Sequence, residues 1–177
     1  MAKSKDKTPE PVNAYATHMD TLRRVLDIVK PKKVLEFGPG NFSTQLWVDA
    51  GCKVTAIEQQ HAEWAKAIAK HYEKTEAIDI FWYPGPVDAL EVLGKENKRY
   101  DIVFVDGHIL GRYLAINAAQ KWTDTIIAHD TESRLYQWEK VTLSADWHQF
   151  DFKALTPWTT VWTKDEKLTN ALAGQEE

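Results

Sequence analysis

Residues 34–44 constrain this chain more than any other stretch. Val34, Leu35, Glu36 and Phe37 carry an apolar run through an acid, and Gly38 and Gly40 then flank a single proline. A polar turn through Asn41 and Ser43 opens a helical pattern. Such a run reads as a strand delivered into a tight loop and then a helix, where backbone N–H groups face outward and can meet an anion. A dinucleotide fingerprint needs a third glycine three positions after Gly40, and Ser43 stands there instead, which argues against a pyrophosphate cradle.

The strand-then-helix unit recurs along the chain. Leu22, Val25, Leu26 and Val29 have helical spacing, and Pro31 stops that helix. Strands are expected at 33–37, 53–58, 78–83, 101–105 and 125–128. Helices are expected at 43–50, closed by Gly51, and at 62–73, 87–93, 113–122 and 132–141. The 101–105 run is nearly all apolar, as in a strand buried on both faces. Residues 147–152 and 159–163 alternate instead and are joined by a short loop holding Pro157, which suits an antiparallel pair. The expected fold is therefore α/β: a Rossmann-like, doubly wound, seven-stranded sheet, mostly parallel with an antiparallel last strand. Residues 1–11 read as a disordered tail, 12–165 as a single domain and 166–177 as a polar C-terminal tail.

Composition removes several functional classes. The 177 residues carry a net charge of −4, which argues against a nucleic-acid footprint. Cys52 is the only cysteine, so no internal disulfide forms and a reducing compartment is expected. No apolar run approaches the ~18 residues that span a bilayer, and the charged N-terminal residues hold no apolar leader core. A cytoplasmic protein without a membrane partner is the expectation.

In a sheet of this kind, ligands bind at the carboxyl ends of the strands. Those ends carry Glu36 with the glycine loop, Glu58, the Pro84-Gly85-Pro86-Val87 turn, Asp106-Gly107-His108, and His129-Asp130. Glu58 lies 18 residues beyond Gly40 and offers the two acceptor oxygens that a ribose diol needs, whether in a dinucleotide or a nucleoside. It also suits the start of a helix. Gly38 and Gly40 let backbone approach a ligand, or simply make a tight turn.

Glu36 at a strand end, then Gly38-Pro39-Gly40 and Ser43-Thr44, resembles motif I of class I S-adenosylmethionine-dependent methyltransferases. The Ser-Thr pair is closest to the O-methyltransferase branch, and the resemblance covers residues 13–165. It implies that Glu36 and the loop Gly38, Pro39, Gly40, Asn41, Phe42 and Ser43 hold the methionine end of the cofactor. Ser43 either donates to its carboxylate or caps the following helix. Gln59 and Val87 would line the adenine, and Asp106, Gly107 and His108 would face the methyl-bearing part.

His129, Asp130 and Asp106 are the implied catalytic group, His129 or Asp130 serving as general base beside an acceptor hydroxyl. Asp130 alternatively caps the helix after it. Asp106 and Asp130 also resemble the metal-binding acids of Mg²⁺-dependent O-methyltransferases, with His129, His108 or Glu132 as third ligand. The implied function is S-adenosylmethionine-dependent methylation of a small-molecule or sugar hydroxyl.

Other readings are a non-catalytic S-adenosylmethionine-binding or assembly protein, a macromolecular methyltransferase and an NAD-binding oxidoreductase. Absence of an Asn/Asp-Pro-Pro-Tyr/Phe motif counts against base N-methylation. The chain has no insert to form a substrate lid. Tyr15, His18 and Met19, the loop around Trp158, or a second subunit of a homo-oligomer would supply the cover. Arg112 and Arg134 read either as anion binders or as surface ion pairs.

Overall fold

In the computed structural model, which describes residues 13–174, seven strands form one sheet in the order β3-β2-β1-β4-β5-β7-β6. The strands are β1 (Lys33–Phe37), β2 (Lys53–Glu58), β3 (Ile78–Trp82), β4 (Ile102–Val105), β5 (Thr125–His129), β6 (His148–Phe152) and β7 (Thr159–Thr163). β1 to β5 pair in parallel, while β7 runs antiparallel to both β5 and β6. The alternation of βα units and the short 153–158 connection thus produce the expected doubly wound sheet with a reversed last strand.

Side-chain alternation on the strands divides the core in two. Val34, Val54, Ile102 and Phe104 face α1 (Met19–Val29), α2 (Ser43–Asp49), α3 (Ala62–His71) and α6 (Glu166–Ala173), with Trp47 wholly buried among them. Leu35, Phe37, Val103 and Val105 face α4 (Pro86–Glu96) and α5 (Arg112–Ala119). Glu36 shares the face of Val34, so the period of two aims a carboxyl into the first core. No helix among the described residues is long and apolar enough to cross a membrane.

Two expectations change. The chain past β7 is no polar tail through residue 173: Asp165 caps α6 by accepting from the Lys167 amide, and Leu168 and Leu172 bury one face of the helix. The helix expected over 132–141 is instead two 3₁₀ turns, Arg134–Tyr136 and Trp138–Lys140, split by Gln137 at φ +57°. Tyr136 Oη and Trp138 Nε1 both donate back to Asp130, and these contacts override the local helical pattern. The 1–11 segment lies outside the described residues.

Candidate functional site

The loop after β1 is tied down from within. Ser43 Oγ donates to Glu36 Oε1 at 2.6 Å and Thr44 Oγ1 to Oε2 at 2.7 Å, while the Gly40 amide donates to Thr44 Oγ1 at 2.9 Å. No side-chain hydrogen bond caps α2, so Ser43 serves Glu36 rather than the helix end. Its proton is committed, and its oxygen remains free to accept. Burial pushes the Glu36 carboxyl up to about 7, because its partners are neutral hydroxyls rather than cations. Trp64 Nε1 holds the loop from α3 by donating to Pro39 O at 2.8 Å.

The two glycines of the loop do different work. Gly38 sits at φ +83°, and a Cβ there would lie 2.4 Å from Asp106 O, so its glycine fits β1 against the end of β4. A Cβ on Gly40 would meet nothing within 4 Å among the described residues. The expectation that both glycines clear space for a ligand therefore narrows to Gly40. Over this loop lies a cleft of about 320 Å³, floored by residues 38–43, walled by Trp64 and Asp106, and covered by Tyr15 and His18.

The carboxyl ends of β4 and β5 form a second corner around Arg112, which is 5% exposed. Its guanidinium reaches Asp106 Oδ1 and Asp130 Oδ2, each at 2.9 Å, and donates to the carbonyls of Gly107, His129 and Asp106. The Tyr136 ring stacks on it, 3.9 Å from centroid to Cζ. The other oxygens of the two acids face His129: Nδ1 lies 3.4 Å from Asp106 Oδ2 and 3.7 Å from Asp130 Oδ1. Burial pushes Asp106 upward, but the hydrogen bond from His129 and the Arg112 guanidinium outweigh it and hold the carboxyl below its ordinary range.

On its far side, His129 Nε2 meets Thr17 Oγ1 at 2.8 Å, and that hydroxyl donates to Pro157 O at 2.9 Å. A hydroxyl has one proton, so with both contacts made Nε2 is the donor to Thr17. The His18 ring stands 4.5 Å from the His129 ring, edge on. Burial drives the His18 pKa down to about 4, keeping its ring neutral.

The remaining sites surround the β2 end. Glu58 is buried, and its Oε1 accepts from the amides of Gln59, Gln60 and His61 just before α3. Its Oε2 takes no hydrogen bond among the described residues. Both readings of this acid, helix start and diol acceptor, are thus compatible. Gln59 donates to Gly85 O and Pro86 O and rests against Gly107, joining the turn after β3 to the β4 end. Val87 is half exposed at the start of α4, and His108 Nδ1 accepts from the Leu110 amide within its own loop.

The expected pairing of Asp106 and Asp130 as Mg²⁺ ligands does not fit this corner. Arg112 already supplies the cation between them, and His108 and Glu132 make other contacts, Glu132 accepting from the Trp158 amide. His129, Asp106 and Asp130, the expected catalytic residues, lie together, and Arg112 and His18 adjoin them. Arg112 occupies the first position of α5, where a cation opposes the helix dipole; that misfit was the available signal. His18 stands on an apolar helix start and carries no such mark.

No protein-family profile matches this chain, and no curated protein matches it in sequence. Solved structures do. The Bacillus cereus O-methyltransferase in complex with SAH aligns over 88% of this chain and 84% of that one, at 14% identity and a TM-score of 0.67. A Klebsiella pneumoniae protein provisionally named an O-methyltransferase covers 88% and 82%, at 16% identity and a TM-score of 0.65. The N-methyltransferase NodS of Bradyrhizobium japonicum covers 86% and 96%, at 13% identity and a TM-score of 0.56. At such identities the likeness establishes the fold shared by class I S-adenosylmethionine-dependent methyltransferases.

Proposed function

We propose that this protein is an S-adenosylmethionine-dependent methyltransferase acting on a hydroxyl of a small molecule or sugar. One observation carries the reading: the cleft over the β1 loop is walled by Asp106, whose Oδ2 faces His129 at 3.4 Å, so a binding loop and a proton-accepting corner adjoin. The residues present fit the cofactor. Gly40 leaves open space above the loop and Glu58 Oε2 is available to a ribose, while Glu36, wholly buried and held by Ser43 and Thr44, supports the loop from beneath.

When bound, S-adenosylmethionine supplies a methyl group on a sulfonium, transferred in line to a nucleophilic oxygen. The chain's own contribution is position and proton handling. Thr44 and Trp64 fix the loop backbone. Arg112 holds Asp106 and Asp130 by one oxygen each, and Thr17 sets the His129 tautomer. These contacts leave Nδ1 of His129 and Oδ2 of Asp106 as the atoms toward which an acceptor hydroxyl gives up its proton.

Calorimetric titration with S-adenosylhomocysteine and with NAD tests this reading. Micromolar binding of the sulfur ligand is expected, weakened about tenfold or more in Glu58→Gln, the loss of one charged hydrogen bond. Gln retains an acceptor for the 59–61 amides, so that variant separates the ribose contact from the helix start. Preference for NAD, or absence of sulfur-ligand binding, overturns the proposal.

A further inference from the structure

His18 precedes α1, Asp106 follows β4 and His129 ends β5, yet one ligand atom from each lies within 4.8 Å of the other two. One feature of this meeting point calls for a ligand. His18 is 2% exposed, and neither of its ring nitrogens has a hydrogen-bond partner among the described residues. A buried polar group left without a partner costs about 1–3 kcal/mol, so it calls for a physical reason. An ion shared by all three side chains supplies one, and His129 Nδ1 and Asp106 Oδ2, 3.4 Å apart, are placed to share it.

We propose that His18, Asp106 and His129 bind a first-row transition-metal dication, with Zn²⁺ as the probe. Two imidazoles and one carboxylate suit Zn²⁺, Co²⁺ or Fe²⁺, whereas Mg²⁺ requires an oxygen cage. Ligand atoms about 2.1 Å from one tetrahedral ion lie roughly 3.4 Å apart. The His129–Asp106 pair already has that spacing at 3.4 Å, and one ligand atom of each of the three residues lies within 4.8 Å of the others. Arg112 and Thr17 then act as the outer contacts that orient a ligand carboxylate and fix a ligand tautomer. His18 and Asp106 line the cleft, which gives the ion its entry path. Binding of the ion stands apart from the methyl-transfer reading; its use in holding and deprotonating the acceptor oxygen rests on that reading.

The test uses full-length protein stripped with a chelator and titrated separately with Zn²⁺, Co²⁺ and Mg²⁺. One Zn²⁺ per chain at micromolar or tighter affinity is expected, with visible absorption from Co²⁺ and no saturable response to Mg²⁺. His18→Gln and His129→Gln should each weaken Zn²⁺ at least tenfold. Because a buried histidine variant can fail to fold, His18→Cys is the second arm: it keeps a zinc ligand and should add a thiolate-to-Co²⁺ charge-transfer band. No stoichiometric Zn²⁺, wild-type affinity in either Gln variant, or a His18→Cys protein without that band overturns the site. S-adenosylhomocysteine binding, measured on the same stripped sample, fails or survives independently and so separates this proposal from the methyltransferase reading.

Discussion

Glu36 on β1 and Asp106 after β4 end neighbouring strands, and burial pushes both carboxyls toward the neutral form. Glu36 accepts from the hydroxyls of Ser43 and Thr44, and burial raises it to about 7. Asp106 meets Arg112 and His129 and is lowered. Depth alone therefore does not set the charge of a buried acid; the nearest cation does. The β1 corner holds its acid beneath the loop without a cation. The β4–β5 corner already holds one, which fixes the geometry of its reactive atoms.

Removing that built-in cation should have the largest effect. Arg112→Met strands two carboxylates and three backbone carbonyls without their donor, and a broken buried pair costs about 3–5 kcal/mol. Urea denaturation at pH 7 reads this directly. Adding Asp106→Asn to the variant should recover part of the loss, since the stranded charge is then gone. A cost for Arg112→Met below about 1 kcal/mol, the range of exposed pairs, would break the contrast between the corners.

The β1 corner makes the opposite prediction with pH. Glu36 binds its proton more tightly when folded, with a pKa of about 7 against an ordinary value of 4.5, so the folded state carries more protons across that window. Its contribution to stability is present below pH 4.5 and is lost as pH rises through 7, by about 3 kcal/mol at 1.36 kcal/mol per unit. Glu36→Gln cannot ionise and should lose this slope. The difference between wild-type and variant stability, followed by denaturation from pH 4 to 8, isolates it from every other group. An equal slope in both proteins would mean that Glu36 has a cationic partner after all.

How far these corners were legible in the sequence follows from the range of the forces involved. Strand ends are local: an apolar run closing on Glu36, Glu58, Asp106 or His129 places the side chain at one sheet edge once parallel order is inferred. Partners are not local. Arg112 reaches Asp130 across 18 residues, and Thr17 reaches His129 across 112: a cation at a helix start is a local misfit that names no partner, and a threonine near the N-terminus carries no mark. The same cause explains the 132–141 stretch, whose helical spacing yields to bonds from Tyr136 and Trp138 onto Asp130. In α6 the signal was present but short: a capping Asp165 followed by Leu168 and Leu172 four apart, easily lost among polar neighbours.

The glycines at the seam between the corners give the smallest stability effects and the sharpest separation of roles. Gly38→Ala places a methyl 2.4 Å from Asp106 O at φ +83°, so β1 and β4 loops must part; strain and overpacking together should cost about 2 kcal/mol. Gly40→Ala meets no atom of the described residues within 4 Å and should change stability by less than about 0.5 kcal/mol, as an unencumbered surface substitution does. Its effect should appear only with ligand present: an added methyl in the cleft should weaken S-adenosylhomocysteine about tenfold, or 1.4 kcal/mol, by calorimetry. A glycine that the protein itself does not require is best explained by something that approaches it from outside. If Gly40→Ala binds the ligand as tightly as wild type, the loop is a turn with no cofactor against it, and the space above it has another purpose.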